Sequence, residues 1–293
     1  MLSQTKTAWL GTFILAASAV CYSTAGFFTR LAEADSWTML FWRGIVAGIF
    51  LSIMVGWRER GHVLRSVRAI GRDGLLIAIF SALATVCFLS GMRLSTIADV
   101  MVIDATIPFL TAGLAWLILG EREDRITFAA TIAAVAGVAV MAGPAIAGGR
   151  LPGDLLAFAM ALFMSTVLVF IRRNPGISML PAVALSAFLC ALLVAPWAHP
   201  LAVSGADAVR LALFGTTQFG MGLLLLSLGT PLVSATRGAL IGTLQTPLGT
   251  LWVWLVFGEQ PAAATLAGGI IVLAAVVGDI VMPRGRRIVS HAD

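Results

Sequence analysis

Of the charged side chains inside apolar stretches of this sequence, the ones that matter most for chemistry are Arg43, Asp99 and Asp104. A charge in surroundings that exclude water costs about 3 kcal/mol on insertion scales, so such groups pair with one another or serve a function. Three chemistries are open. Arg43 can form an ion pair with one of the carboxylates, a carboxylate can bind the ammonium of an amine-bearing solute, or a carboxylate can carry a proton. A second pattern begins at Asp104. The stretch DATIP ends at Pro108 and the stretch TLQTP ends at Pro247. Proline has no N–H to give the carbonyl four residues earlier, so Pro108 releases that of Asp104 and Pro247 that of Thr243. Thr106, Gln245 and Thr246 stand beside them with further polar groups. Freed carbonyls and polar side chains at two matching places could bind the polar end of a small solute.

Single polar residues are scattered along the same apolar runs: Tyr22, Ser23, Ser81, Thr85, Ser165, Thr217 and Gln218. They either line the same cavity or hold helices together, at about 0.6 kcal/mol per contact. Reaction chemistry is poorly represented. There is no Walker A pattern, and the one lysine is Lys6. His62, His199 and His291 lie far apart with no HExxH spacing. Cys21, Cys87 and Cys190 show no metal spacing and read as small buried hydrophobes. The sequence therefore points away from an enzyme and calls for no metal or cofactor.

The elements that must position these residues are long and apolar. The chain of 293 residues is 59% hydrophobic and 11% charged, against about a quarter charged in soluble domains. A hydrocarbon core about 30 Å thick needs about 20 helical residues. Ten runs meet that length: roughly 8–29, 37–56, 74–92, 97–119, 126–147, 153–171, 179–198, 208–229, 233–257 and 262–282. The expectation is an all-α integral membrane protein of ten spans in the lipid bilayer, with no room for a soluble domain. The net charge of +5 sits at helix ends and does not imply nucleic acid. Trp9, Trp37, Trp57, Trp116, Trp197, Trp252 and Trp254 lie near run ends, as an interfacial belt would.

Arginine and lysine set the orientation. With the N-terminus inside, Lys6, Arg58 to Arg72, Arg122, Arg125, Arg172, Arg173, Arg237 and Arg284 to Arg287 fall on the cytoplasmic side. The other side holds only Arg30, Arg93, Arg150 and Arg210. An even number of spans then places both termini in the cytoplasm.

The chain also repeats itself. LAWLILGE (114–121) and WVWLVFGE (252–259) both close an apolar run on Gly-Glu. Elsewhere Gly11 matches Gly153, Ser23 matches Ser165, Arg30 matches Arg172, Ser95 matches Ser234 and Pro108 matches Pro247. The sequence thus divides into two five-span units, 1–148 and 149–293. The first run resembles a signal peptide around Ala17-Ser18-Ala19, yet its match to the sixth run predicts a retained helix. Five is odd, so the second unit enters the bilayer from the opposite side, the inverted repeat common among secondary transporters. The Gly-Glu ends read as structure, Gly as a left-handed cap and Glu as a water boundary.

The 5+5 layout, Pro108 and Pro247, the two Gly-Glu ends and FWR at 41–43 resemble the EamA family of the drug/metabolite transporter superfamily. The match departs where the seventh run has no arginine to answer Arg43, and where Arg237 stands against Ala98. The resemblance implies an alternating-access exporter of small metabolites, often amino acids, with spans 1, 3, 4, 6, 8 and 9 around the cavity. Within the family the chain looks like the YddG-type aromatic amino acid exporters. Broad drug or metabolite export is the alternative, and a structural or receptor-like membrane protein a further one. A cavity with few charges suits an amphipathic solute better than a polyanion. A monomer is compatible with this layout. Abundant Ala, Gly and Arg with one Lys points to a bacterial, GC-rich coding sequence, hence an inner-membrane location.

Depth is also legible. At 1.5 Å per residue Arg43 lies about 9 Å below the outer boundary, with Asp104 at similar depth and Asp99 nearer the surface. An ion pair between Arg43 and either carboxylate is thus expected to be within reach.

Overall fold

A computed structural model describes residues 2–59, 63–95, 97–142, 151–258 and 260–282. Arg60, His62, Arg150, Glu259, Arg284, Arg286, Arg287 and His291 lie outside the described residues. Among those described, the secondary structure is helical throughout. The helices that follow the apolar runs are α1 (Thr7–Leu31), α2 (Ser36–Glu59), α3 (Gly71–Leu94), α4 (Asp99–Leu119), α5 (Arg125–Met141), α6 (Leu151–Arg173), α7 (Leu180–Trp197), α8 (Gly205–Leu232), α9 (Ala235–Phe257) and α10 (Ala263–Val281). Among the described residues nine are long and apolar enough to cross a membrane, and the described part of α5 is apolar but shorter.

Helix ends are fixed by local chemistry. Asp35 caps α2: its Oδ1 accepts from the N–H of Trp37 (2.9 Å) and Thr38 (3.1 Å). Burial alone would raise the Asp35 carboxyl, but the Thr38 hydroxyl and these two N–H groups outweigh it and hold it below its ordinary value. Ser204 and Ser234 cap α8 and α9 by accepting from Asp207 N and Arg237 N. At the far ends of α4 and α9, Gly120 and Gly258 both have φ +68°. Each supplies the left-handed turn that other residues adopt only with strain, so the repeated Gly does the same work twice.

Packing pairs each helix with its counterpart or with the other unit. A Cβ on Gly44 of α2 would lie 2.7 Å from the Ala187 carbonyl of α7, and one on Gly137 of α5 would lie 2.8 Å from the Gly268 carbonyl of α10. The first helix of each unit packs against the third and fourth of the other. Ser18 of α1 donates to the Gly222 carbonyl of α8 at 2.8 Å. Gly11 faces Leu232 and Val233 just ahead of α9, while its counterpart Gly153 faces Leu94 and Ser95 just ahead of α4. Matched residues occupy matched places. Counterpart helices are antiparallel: Trp37 at the start of α2 meets Trp197 at the end of α7 (centroids 5.6 Å), and Thr127 near the start of α5 donates to Asp279 near the end of α10 (2.7 Å).

The bundle therefore has two polar ends. One carries Trp37, Trp197 and Arg93, with His199 N donating to Thr38 Oγ1 and Ser95 donating to Asp154. The other carries Asp73, Asn174, Glu121 and Arg172. We call them the Trp37 face and the Arg172 face. Between them lie two apolar cores, one around Leu51, Ile77, Ile171 and Val183, the other around Leu15, Val138, Leu240 and Val272.

The close approach of α5 and α10 leads to a prediction. Gly268→Leu forces the two backbones apart and is expected to cost about 1–3 kcal/mol, read as a lower melting temperature in detergent. Gly278→Leu on the same helix has open space beside it and is expected to leave melting unchanged.

Candidate functional site

The site is built where helices break. The α4 helix is interrupted at Ala105 and Thr106, and α9 at Thr243 and Leu244. These are the places that Pro108 and Pro247 predict. At each break a threonine folds back: Thr106 Oγ1 donates to the Ile103 carbonyl (2.6 Å) and Thr243 Oγ1 to the Leu240 carbonyl (2.7 Å). One detail differs from expectation. The Thr243 carbonyl is not released, because Thr246 N reaches it at 3.2 Å in a tighter turn. A third break falls at Thr24 in α1, where Thr24 Oγ1 donates to the Cys21 carbonyl (2.7 Å). In α8 residues Phe214–Gly220 widen into a π-helical turn, a feature often found at functional sites.

These breaks surround one cavity of about 780 Å³. Its lining extends from Leu15, Leu168 and Gly238, the last two within a turn or so of the Arg172-face ends of α6 and α9, to the Trp37 face at Arg30, Gln260 and Thr265. Helices α1, α3, α4, α6, α8 and α9 line it; α2 joins through Arg43, α5 through Val138 and Met141, and α10 through Thr265. The walls are mostly apolar, with Met101, Met141, Met160 and Met164 prominent.

Of the residues singled out in the sequence, the cavity brings together Tyr22, Ser23, Ser81, Thr85, Asp104, Gln218, Thr243, Gln245, Thr246 and Arg43. The others lie elsewhere. Ser165 is fully buried, with its hydroxyl 2.8 Å from the Ala161 carbonyl and 3.2 Å from that of Ile107, where it ties α6 to the broken α4. Thr217 is exposed and bonds back to Leu213. Thr106 is spent on Ile103, Pro108 and Pro247 are buried within the bundle, and Asp99 sits in the first turn of α4 away from the lining. Trp252, in the last turns of α9, donates its indole N–H to Ser23 Oγ at 2.8 Å beside the break in α1.

The expected ion pair of Arg43 does not form with Asp99 or Asp104. The guanidinium lies over the ring of Phe219 at 4.2 Å and that of Phe214 at 5.6 Å, both on α8. Its polar neighbours are Tyr22 and the Cys190 thiol, and its Nε has no hydrogen-bond partner. Asp104 faces the Gln245 side chain instead. Similar height along neighbouring helices did not translate into facing directions. Gln218 is 3% exposed, and its Oε1 is likewise unpartnered.

The Arg172 face is shut by polar contacts that the sequence reading did not foresee. Arg172 of α6 bonds Glu121 Oε1 (3.1 Å) and the Pro231 carbonyl, so it joins the ends of α4, α6 and α8. Ser234 donates to Glu123 at 3.2 Å. Burial pushes the Glu123 carboxyl up, against the hydroxyls of Thr236 and Ser234. Deeper in, Arg237 of α9 pairs with Asp279 of α10 at 3.0 Å, and Asp279 also accepts from Thr127 of α5. Arg237 and Asp279 are both buried.

A pocket open at one end and latched at the other invites comparison with known proteins. No curated protein matches the sequence. One solved crystal structure superposes with a TM-score of 0.78 over 92% of this chain and 96% of its own, at 19% identity, which speaks for the fold alone. The model of the EamA-like transporter family matches twice, over residues 9–143 and 151–278. Together those matches cover both halves and most of the length: this chain belongs to the EamA-like transporter family.

Proposed function

We propose that this protein is a secondary transporter that exports amphipathic amino acids, aromatic ones foremost, across a bacterial inner membrane by alternating access. The observation that carries the reading is the cavity of about 780 Å³, apolar-walled, charged at depth, reaching one face and closed at the other. That volume falls within the range of about 300–1,000 Å³ typical of small-molecule sites. Family membership supports transport of a small solute. Units 1–148 and 149–293 are the two inverted repeats, with ten helices crossing the membrane and both termini cytoplasmic. Arg58, Arg68, Arg72, Arg122, Arg125, Arg172, Arg173 and Arg237 then cluster on the inner, Arg172 face. In that orientation the cavity opens outward, the release state of an exporter. Broad metabolite or drug export is the second reading. It is favoured by the four methionines on the walls, whose flexible thioethers repack around different solutes.

Two measurements test the proposal. Liposomes holding only the purified protein are expected to pass labelled phenylalanine faster than empty liposomes. Acceleration by an imposed pH gradient would assign a coupling proton to a membrane carboxylate, Asp104 first. No flux from verified folded protein would sink the aromatic assignment. The latch is tested separately, with spin labels at positions 122 and 177. Arg172→Gln is expected to add a longer-distance population across the Arg172 face; an unchanged distribution would mean that this contact does not hold the face shut.

A further inference from the structure

Resting on the reading of the cavity as a substrate site, we propose that Arg43 and Gln218 form a subsite that anchors the solute by its carboxylate, with its N–H group turned to Gln218. The substrate class is then the zwitterion, and amines that lack an acid are excluded.

Arg43 stays charged under all ordinary conditions. Its neighbours are the rings of Phe214 and Phe219, the Tyr22 side chain and the Cys190 thiol, and no carboxylate of the described residues pairs with it. Ring faces attract a cation, but they accept no N–H in the plane of the guanidinium fork. Nε is buried without a partner. A cation held this way among apolar walls lacks an anion, and the cavity it lines is where one can arrive.

Gln218 stands on the same wall. It adjoins Phe219, the ring over which Arg43 lies, and the π-helical turn brings both residues to the cavity. Its Nε2 reaches the Tyr22 carbonyl at 3.5 Å, while Oε1 is buried with no donor. The wall thus offers an unpartnered donor and an unpartnered acceptor. Small residues hold the arrangement tight: a Cβ on Gly215 would sit 3.0 Å from the Arg43 carbonyl, and one on Gly220 would strike Phe50 of α2 at 2.8 Å. Arg30 stands at the Trp37 face of the cavity; the acidic group on its wall is Asp104 of α4, hydrogen-bonded by Gln245 of α9. A solute with one carboxylate and one ammonium meets both signs, whereas a simple amine leaves Arg43 unmatched.

The test uses the full-length protein in detergent and three probes that share a phenyl ring: phenylalanine, 3-phenylpropionate and phenethylamine. Binding is read with labelled probe and as ligand-induced rise in melting temperature. Wild type is expected to bind both carboxylates and not the amine. Arg43→Gln is expected to weaken both carboxylates about tenfold or more, and Arg43→Lys to restore part of the loss. Gln218→Leu is expected to weaken phenylalanine but not 3-phenylpropionate, which has no N–H to offer Oε1. A merely structural role would not separate those two probes. If Arg43→Gln does not fold, the wild-type probe series and the lysine variant decide. Equal binding of phenethylamine and phenylalanine, no binding of either carboxylate at millimolar concentration, or full carboxylate affinity in folded Arg43→Gln would each overturn the subsite. Arg43-dependent binding of 3-phenylpropionate without phenylalanine flux would leave the subsite standing and remove amino acid export instead.

Discussion

In hydrocarbon no water replaces a backbone hydrogen bond that a helix gives up, and this constraint shapes the rest of the molecule. Helices α1, α4, α8 and α9 all depart from regular α geometry, and they do so around the cavity. Each irregularity carries hydroxyls folded onto local carbonyls: Ser23 on Val20, Thr24 on Cys21, Thr106 on Ile103, Thr217 on Leu213 and Thr243 on Leu240. Side chains do there what water does elsewhere. The breaks can persist because protein or cavity covers them, and the cavity persists because broken helices cannot close-pack across it.

How much of this was legible in the sequence depends on which coordinate is asked for. Position along a helix was. Apolar runs gave the helices, Pro108 and Pro247 placed two breaks to within a few residues, and Gly120 and Gly258 gave the caps. The fifth run, read to residue 147, is helix through Ala142, and its remaining residues lie outside the described ones. Direction around a helix was not legible. Arg43 and Asp104 share a depth, but rise per residue says nothing about which neighbour a side chain meets. The π-helical turn in α8 has no proline to announce it. The polar run Thr216-Thr217-Gln218 between Gly215 and Gly220 is its trace in the sequence. The latch was hidden for a different reason. Glu121 read alone is a water-boundary residue, and its partner Arg172 stands 51 positions away on a helix of the other unit.

The two units are alike in how they cross over. Ser95 and its counterpart Ser234 each precede a broken helix, and each donates to a carboxylate, Asp154 and Glu123 respectively. Gly11 and Gly153 let the first helix of each unit approach the same spot in the other. This exchange brings helices of both units to the cavity. Under the proposed alternating access, a rigid shift of one unit against the other would change both faces at once.

In that proposed cycle perfect likeness would give two access states of equal energy, and the differences between the units would set the bias. Arg237 is the plainest of them, since its counterpart is Ala98. Its pair with Asp279, reinforced by Thr127, has no equal in the repeat pattern and ties α5, α9 and α10 together toward the Arg172 face. Burying both charges costs much of what their attraction returns, so the pair adds less stability than its geometry suggests. Breaking it is another matter, because an opened pair without water leaves two uncompensated charges. In the proposed cycle this favours the closed Arg172 face: the alternative must either bring water to Asp279 or carry the pair intact through the movement. Within that cycle, solute bound at Arg43 and Gln218 shifts the balance only by contacting one access state better than the other.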